Sequence, residues 1–344
     1  MGLPVLRLPS LVFGNVYRFL DVPEVILLSQ CSRSMKAIVK ERSSQNSYFL
    51  IVNVETGSAY VRLGEMRNGI PCNDFYWDLK ADETWPLDDK EVISNDVIGG
   101  ITKRKSANNW ISWVKEEFFI EKLLAICKKL KETFKCSSIR SVFYCANNRT
   151  HFRKLFMETD MLHCANEMQI ENAPFEPEEI DFMLDNFKTN ALDFHVDCPP
   201  GYSYQKPLNY SEALHIKFAR WIPVEMLLQM VKTTAIIGLE AANLIPDKDI
   251  NQFIKSWLIS DNQKLEILVI GREQNAIDID ETMEGIESTR ARKKREEAMP
   301  TRLQHLAHVN GLDIRREDGT YATVFLEDSC FVLGVMQQPN PFLE

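Results

Sequence analysis

The feature that most limits how this chain can fold is a recurrence of short apolar runs. Val142-Phe143-Tyr144, Met168-Gln169-Ile170, Leu192-Asp193-Phe194, Leu214-His215-Ile216, Ile237-Gly238-Leu239 and Leu268-Val269-Ile270 begin at successive steps of 26, 24, 22, 23 and 31 residues. Helical patterns fill several of the gaps, over residues 176–187, 223–231 and 246–258. The last of these carries Asp247 and Asp249 in its first turn, where negative charge suits the positive end of the helix dipole. One strand–helix unit cannot bury both faces of its strand. Stacked units can, and they yield a curved parallel sheet backed by helices.

The steps fall mostly within the ~20–29 residues of leucine-rich repeats, with one longer insertion. An ordinary doubly wound α/β domain is the alternative. The repeat-like arrangement is preferred because no Gly-rich phosphate loop follows any of the runs. Alternate side chains of a strand point to opposite faces. Val142, Tyr144, Met168, Ile170, Leu192, Phe194, Leu214, Ile216, Leu268 and Ile270 are therefore expected in the core. Their neighbours Phe143, Gln169, Glu171, Asp193, His195, His215, Lys217 and Glu240 then line the open face, a mixed polar row suited to a specific protein target.

Ahead of the repeats the period differs. Residues 3–42 read as three short helices, with Pro9 and Pro23 at first-turn positions and Ser32 able to cap the third. Residues 48–54 and 58–63 read as strands around a Glu55-Thr56-Gly57 turn, and 75–79 as another. The polar stretch 80–109 reads as loop, and 113–135 as an amphipathic helix. Past the last repeat, 311–336 reads as a β-meander that caps the array.

Two segments carry a resemblance. Leu8-Pro9, Val12, Val16, Leu20-Asp21, Glu24, Leu27, Ser29, Cys31-Ser32 and Val39 resemble an F-box, the helical motif that docks on Skp-type adaptors of cullin ubiquitin ligases. Ser10 stands where an acidic residue commonly follows Leu-Pro, and the third-helix Trp is absent. Leu214-His215-Ile216, Trp221-Ile222, residues 244–257, Leu265-Glu266-Ile267-Leu268 and residues 313–324 are similar to the F-box-associated type 2 domain of a family expanded in nematodes. The resemblance implies adaptor contacts through Leu8, Pro9, Val12, Val16, Leu20, Ile26 and Leu27. The expected organisation is mixed α/β: an F-box over 1–42, a β-rich connector over 43–110, a repeat-like α/β domain over 111–336 and a tail over 337–344.

Composition narrows the remaining choices. A formal charge of −9 argues against a broad basic face for nucleic acid. No run approaches the ~18 apolar residues of a membrane span, and Pro4, Arg7, Pro9 and Arg18 interrupt any signal-peptide core. Eight cysteines with no Cys-x-x-Cys pair fit free thiols in a cytoplasmic or nuclear setting. No zincin, Walker, dinucleotide or Gly-x-Ser-x-Gly motif is present, and His163-Cys164 lacks nearby ligands. No catalytic residue, cofactor or metal is therefore assigned. Pro199-Pro200-Gly201-Tyr202 has the form that WW domains bind, with a rigid turn as the plainer reading. The basic run 290–295 is followed directly by Glu296 and Glu297, which favours a solvated face. The expected function is substrate recognition in a Skp–cullin–F-box ligase, with a non-degradative adaptor-binding scaffold as the alternative.

Overall fold

A computed structural model describes residues 17, 20–43, 47–67, 70–81, 92–95, 101–106, 108–134, 136, 138–146, 148–163, 165–171, 175–273, 276–290, 311–327 and 329–336. The protein is mixed α/β and divides into two compact units, Met1–Met168 and Gln169–Glu344.

In the first unit two described helices, Val22–Gln30 and Arg33–Ser43, precede the strands. Asp21 starts the first of them through a reciprocal cap. Its Oδ1 accepts from the Glu24 N–H at 2.9 Å, and Glu24 Oε2 accepts from the Asp21 N–H at 2.9 Å. Pro23 sits in the first turn, where its missing N–H costs no hydrogen bond. Ser32 Oγ accepts from the Met35 N–H at 3.1 Å and so caps the next helix, as its position suggested.

The strands of this unit are β1 (Ser47–Glu55), β2 (Ser58–Arg67), β3 (Ile70–Ala81), β4 (Val92–Asn95), β5 (Ile101–Ser106), β6 (Asn109–Val114) and β7 (Ser138–Tyr144). β1, β2 and β3 pair antiparallel in that order, while β1 takes β7 and β3 takes β6 in parallel. Helix Phe119–Phe134 connects β6 to β7 and buries Phe119, Leu123, Ile126, Leu130 and Phe134, a stripe at helical spacing. Lys36 Nζ and Glu132 Oε2, 2.9 Å apart, link that helix to Arg33–Ser43.

The structure corrects two expectations. The stretch 80–109 is not all loop, because β4 and β5 lie within it and β6 starts at its end. β5 escapes a hydrophobic pattern because it buries a hydroxyl: Thr102 and Ser112 share a hydrogen bond at 2.6 Å, and Trp77 Nε1 donates to Ser112 Oγ at 2.9 Å. Trp113 and Val114 belong to β6, so the helix begins only at Phe119, after a tight turn over Glu116–Phe118. The division between the two units falls at Met168/Gln169, and residue 110 lies inside β6. Pairing of β1 with β7 and of β3 with β6 ties the expected connector to strands beyond its boundary, in the same compact unit.

Strand β8 (Glu167–Glu171) enters the second unit, followed by β9 (Ala191–His195), β10 (Ala213–Ile216), β11 (Ile236–Leu239) and β12 (Ile267–Gly271). β9 to β12 pair in parallel without a register shift. Helices Pro177–Asn186, Val224–Met230 and Asp247–Leu258 fill the gaps, within a residue or two of the ranges read from the sequence. β12 then pairs antiparallel with β16 (Cys330–Val335), β16 with β15 (Tyr321–Glu327), and β15 with β14 (Gly311–Arg315). Ile170, Leu192, Phe194, Leu214, Ile216, Leu268 and Ile270 are all buried, as are Val142, Tyr144 and Met168 of the first unit. Among the described residues no helix is long and apolar enough to cross a membrane.

Candidate functional site

The side chains between those buried positions form the candidate site. Gln169, Glu171, Asp193, His195 and His215 are half-buried, while Lys217 and Glu240 are exposed. Phe143, also half-buried, belongs to the first unit. Register brings Asp193 and His215 together, because His215 stands beside Asp193 on one neighbouring strand and beside Gly238 on the other. A Cβ built on Gly238 would lie 2.8 Å from His215 Cδ2, so the imidazole leans into space that only glycine leaves open.

The polar groups converge on one oxygen. Asp193 Oδ1 lies 2.7 Å from His195 Nε2 and 2.7 Å from His215 Nδ1. On the far side of each ring a glutamate waits: His195 Nδ1 is 3.1 Å from Glu171 Oε1, and His215 Nε2 is 3.0 Å from Glu240 Oε1. Gln169 Nε2 donates to Glu171 Oε1. The two rings meet edge to face at 5.3 Å.

This crowding sets the electrostatics. Burial alone would push the Asp193 carboxyl up, but the hydrogen bond from His215 and the two imidazoles outweigh it and hold it below its ordinary value. His215 shifts upward, chiefly through its hydrogen bond to Asp193, against its burial and with help from Glu240. Chemically, this is a patch of three carboxylates and two imidazoles that can bind protons, a basic partner or a cation.

The second expected surface is only partly described. Leu8, Pro9, Val12 and Val16 lie outside the described residues. Leu20 is half-buried, Ile26 is wholly buried and Leu27 is 40% exposed. Ile26 thus serves the packing of its helix, and of the described pair Leu27 is the one open to a partner.

Two short motifs resolve differently. Pro199-Pro200-Gly201-Tyr202 is a turn, closed by the Tyr202 N–H donating to Pro199 O at 3.0 Å and by Gly201 at φ +80°. The Tyr202 hydroxyl donates to Asp181 at 2.7 Å and its ring packs edge-on to Trp221 at 5.4 Å. A tyrosine held in this way does not offer the extended polyproline form that a WW groove reads. Of the basic run, Arg290 is an exposed strand residue, and 291–295 lie outside the described residues. His163 Nε2 donates to Phe156 O at 2.6 Å, while Cys164 lies outside the described residues.

The convergence of Asp193, His195 and His215 was legible only in part. Each residue was placed on the open face, but ligand spacing along the chain could not reveal a cluster drawn from adjacent strands. The available signal was the 22-residue step from 193 to 215, which equals the strand step and so predicts lateral neighbours.

Comparison with known proteins finds two matching segments. The F-box domain model matches residues 5–45, and the F-box associated model matches residues 205–270. The chain carries an F-box and an F-box-associated domain. The F-box-associated match takes in β10, β11 and β12 with helices Val224–Met230 and Asp247–Leu258. His215, Gly238 and Glu240 thus fall inside it, while Glu171, Asp193 and His195 precede it. An uncharacterized protein of Caenorhabditis elegans is 22% identical over 342 residues, covering 94% of this chain and 74% of the relative. No solved structure matches.

Proposed function

We propose that this F-box protein is the substrate-recognition subunit of a Skp–cullin–F-box ubiquitin ligase. The observation that carries the reading is the pairing of an F-box with a separate compact unit bearing a polar, half-buried row on one sheet face. In this reading the F-box holds the Skp-type adaptor through Leu8, Pro9, Val12, Val16, Leu20 and Leu27, with Ile26 supporting from the core. A target protein is held on the row from Gln169 to Glu240. Catalysis of ubiquitin transfer belongs to the scaffold's enzymes. The receptor contributes effective concentration, which for tethered partners reaches about the millimolar range. The parallel repeat with its 22–31-residue steps suits such a role, since leucine-rich-like arrays vary surface residues without disturbing the core.

The test is co-purification. Replacing Leu8 and Pro9 together by Ala should abolish recovery of adaptor and cullin, because truncating a central interface anchor commonly costs ~2 kcal/mol or more. Recovery equal to wild type refutes the assignment. A non-degradative scaffold is the other reading, and it differs in one outcome: the adaptor would co-purify without cullin and without turnover of any bound protein.

A further inference from the structure

We propose that Asp193, His195 and His215 bind a zinc-class divalent cation. This goes beyond the receptor role and does not depend on it.

Geometry is the first support. One ligand atom from each of the three residues lies within 4.8 Å of the other two. A tetrahedral zinc site with bonds of ~2.0–2.1 Å sets its ligand atoms about 3.3 Å apart. The two nitrogens now lie 2.7 Å from Asp193 Oδ1, so modest side-chain rotations open the cluster to that size.

The second support is the direction of His195. Its Nε2 is at hydrogen-bond distance from Asp193, yet it is buried and makes no hydrogen bond, so the approach is close but misdirected. A shared cation placed among the three groups satisfies that nitrogen where the carboxylate alone does not.

The outer partners supply the third. Metal-ligating histidines characteristically present their other nitrogen to a carboxylate, which fixes tautomer and ring orientation. Glu171 stands beside His195 Nδ1, and Glu240 beside His215 Nε2, leaving Nε2 of one ring and Nδ1 of the other to face Asp193. Zinc takes each ring through a deprotonated nitrogen, so the dication stands among Asp193, His195 and His215 as their shared positive charge. Lys217, the single cation of the row, has its ammonium over the Phe218 ring at 5.9 Å.

Ligand chemistry selects the metal. Two imidazoles and one carboxylate suit zinc and its first-row neighbours, whereas magnesium and calcium prefer all-oxygen sets. Three protein ligands leave a fourth position for water or for a donor from a bound partner. Binding displaces the proton held between His215 Nδ1 and Asp193, so uptake releases it.

The full chain, stripped with a chelator, should take up one zinc per chain in calorimetric titration, and its melting temperature should rise. Cobalt in place of zinc should give visible absorption without a thiolate-to-metal charge-transfer band, which separates this site from the chain's cysteines. His195→Ala with His215→Ala should abolish that uptake. Glu171→Gln and Glu240→Gln should each weaken it roughly tenfold, as loss of an outer carboxylate does. Gly238→Ala should weaken it too, by displacing His215, while the metal-free melting temperature is kept. Absence of saturable uptake by the wild-type chain overturns the proposal, as does equal uptake by the double-histidine variant. Should that variant not fold, the two Gln variants decide: weakened uptake supports the site, and unchanged uptake refutes it.

Discussion

Strands β3, β5 and β6 and strands β8 to β10 bury their side chains by different chemistry. In the second, every other residue of β8 to β10 is an apolar side chain of near-zero exposure, and the residues between them are polar. In the first, the core around β3, β5 and β6 mixes aromatic rings with buried hydroxyls. Phe75, Trp77 and Trp110 meet edge to face at 4.9–6.3 Å, and Ser112 and Thr102 sit among the buried residues. An alternating apolar face depends on volume and shape. A mixed core depends in addition on each donor finding its acceptor.

The largest effect should come from the alternating apolar face. Phe194 on β9 is wholly buried, and Phe194→Ala should lower stability by about 3–5 kcal/mol through lost burial and the cavity left behind. Gln169→Ala, on the open face of neighbouring β8, should stay within about 0.5 kcal/mol. Denaturant unfolding of both variants checks the contrast. Similar losses from the two would mean that the faces are not chemically distinct.

A smaller effect, of another kind, is expected in the first unit. Ser112→Ala deletes a hydroxyl that serves both the Trp77 indole N–H and Thr102. Little volume changes, so the cost, about 1–3 kcal/mol, is that of leaving buried polar groups unpaired. Ser112→Cys restores volume but only weak hydrogen bonding and should recover little. If Ser112→Ala were neutral by thermal melting, hydrogen bonding would not distinguish this core from the other.

That distinction also explains what could be read in advance. The second unit's strands and its helices Pro177–Asn186, Val224–Met230 and Asp247–Leu258 were legible because burial there leaves a period of two or of 3.6 in the sequence. β4 and β5 were not, because Ile101-Thr102-Lys103-Arg104-Lys105-Ser106 buries a threonine and shows no apolar alternation. The division at Met168 was hidden for another reason. It depends on which strands pair at long range, as β1 does with β7 across some ninety residues of intervening chain, and local composition carries no record of that. The histidine cluster lies between these cases: alternation along each strand puts its residues between buried neighbours, but their contact required the lateral register of β9 and β10.

The smallest of the three effects concerns the part of the F-box where sequence pattern and structure coincide residue by residue. Asp21 and Glu24 cap Val22–Gln30 reciprocally, with Pro23 between them. The Leu20-Asp21-Val22-Pro23-Glu24 stretch therefore fixes where this helix starts, and the helix presents Leu27 with 40% of its surface open. Asp21→Ala removes the acceptor for the Glu24 N–H and should cost about 1 kcal/mol, the usual worth of an N-cap. Asn accepts the same bond, so Asp21→Asn should cost only about a few tenths of a kcal/mol and serves as the control for charge. Hydrogen exchange at the first turn should rise in the Ala variant and stay near wild type in the Asn variant. Equal exchange in all three chains would mean that packing alone sets the start of the helix, and the acidic pair would then need another explanation.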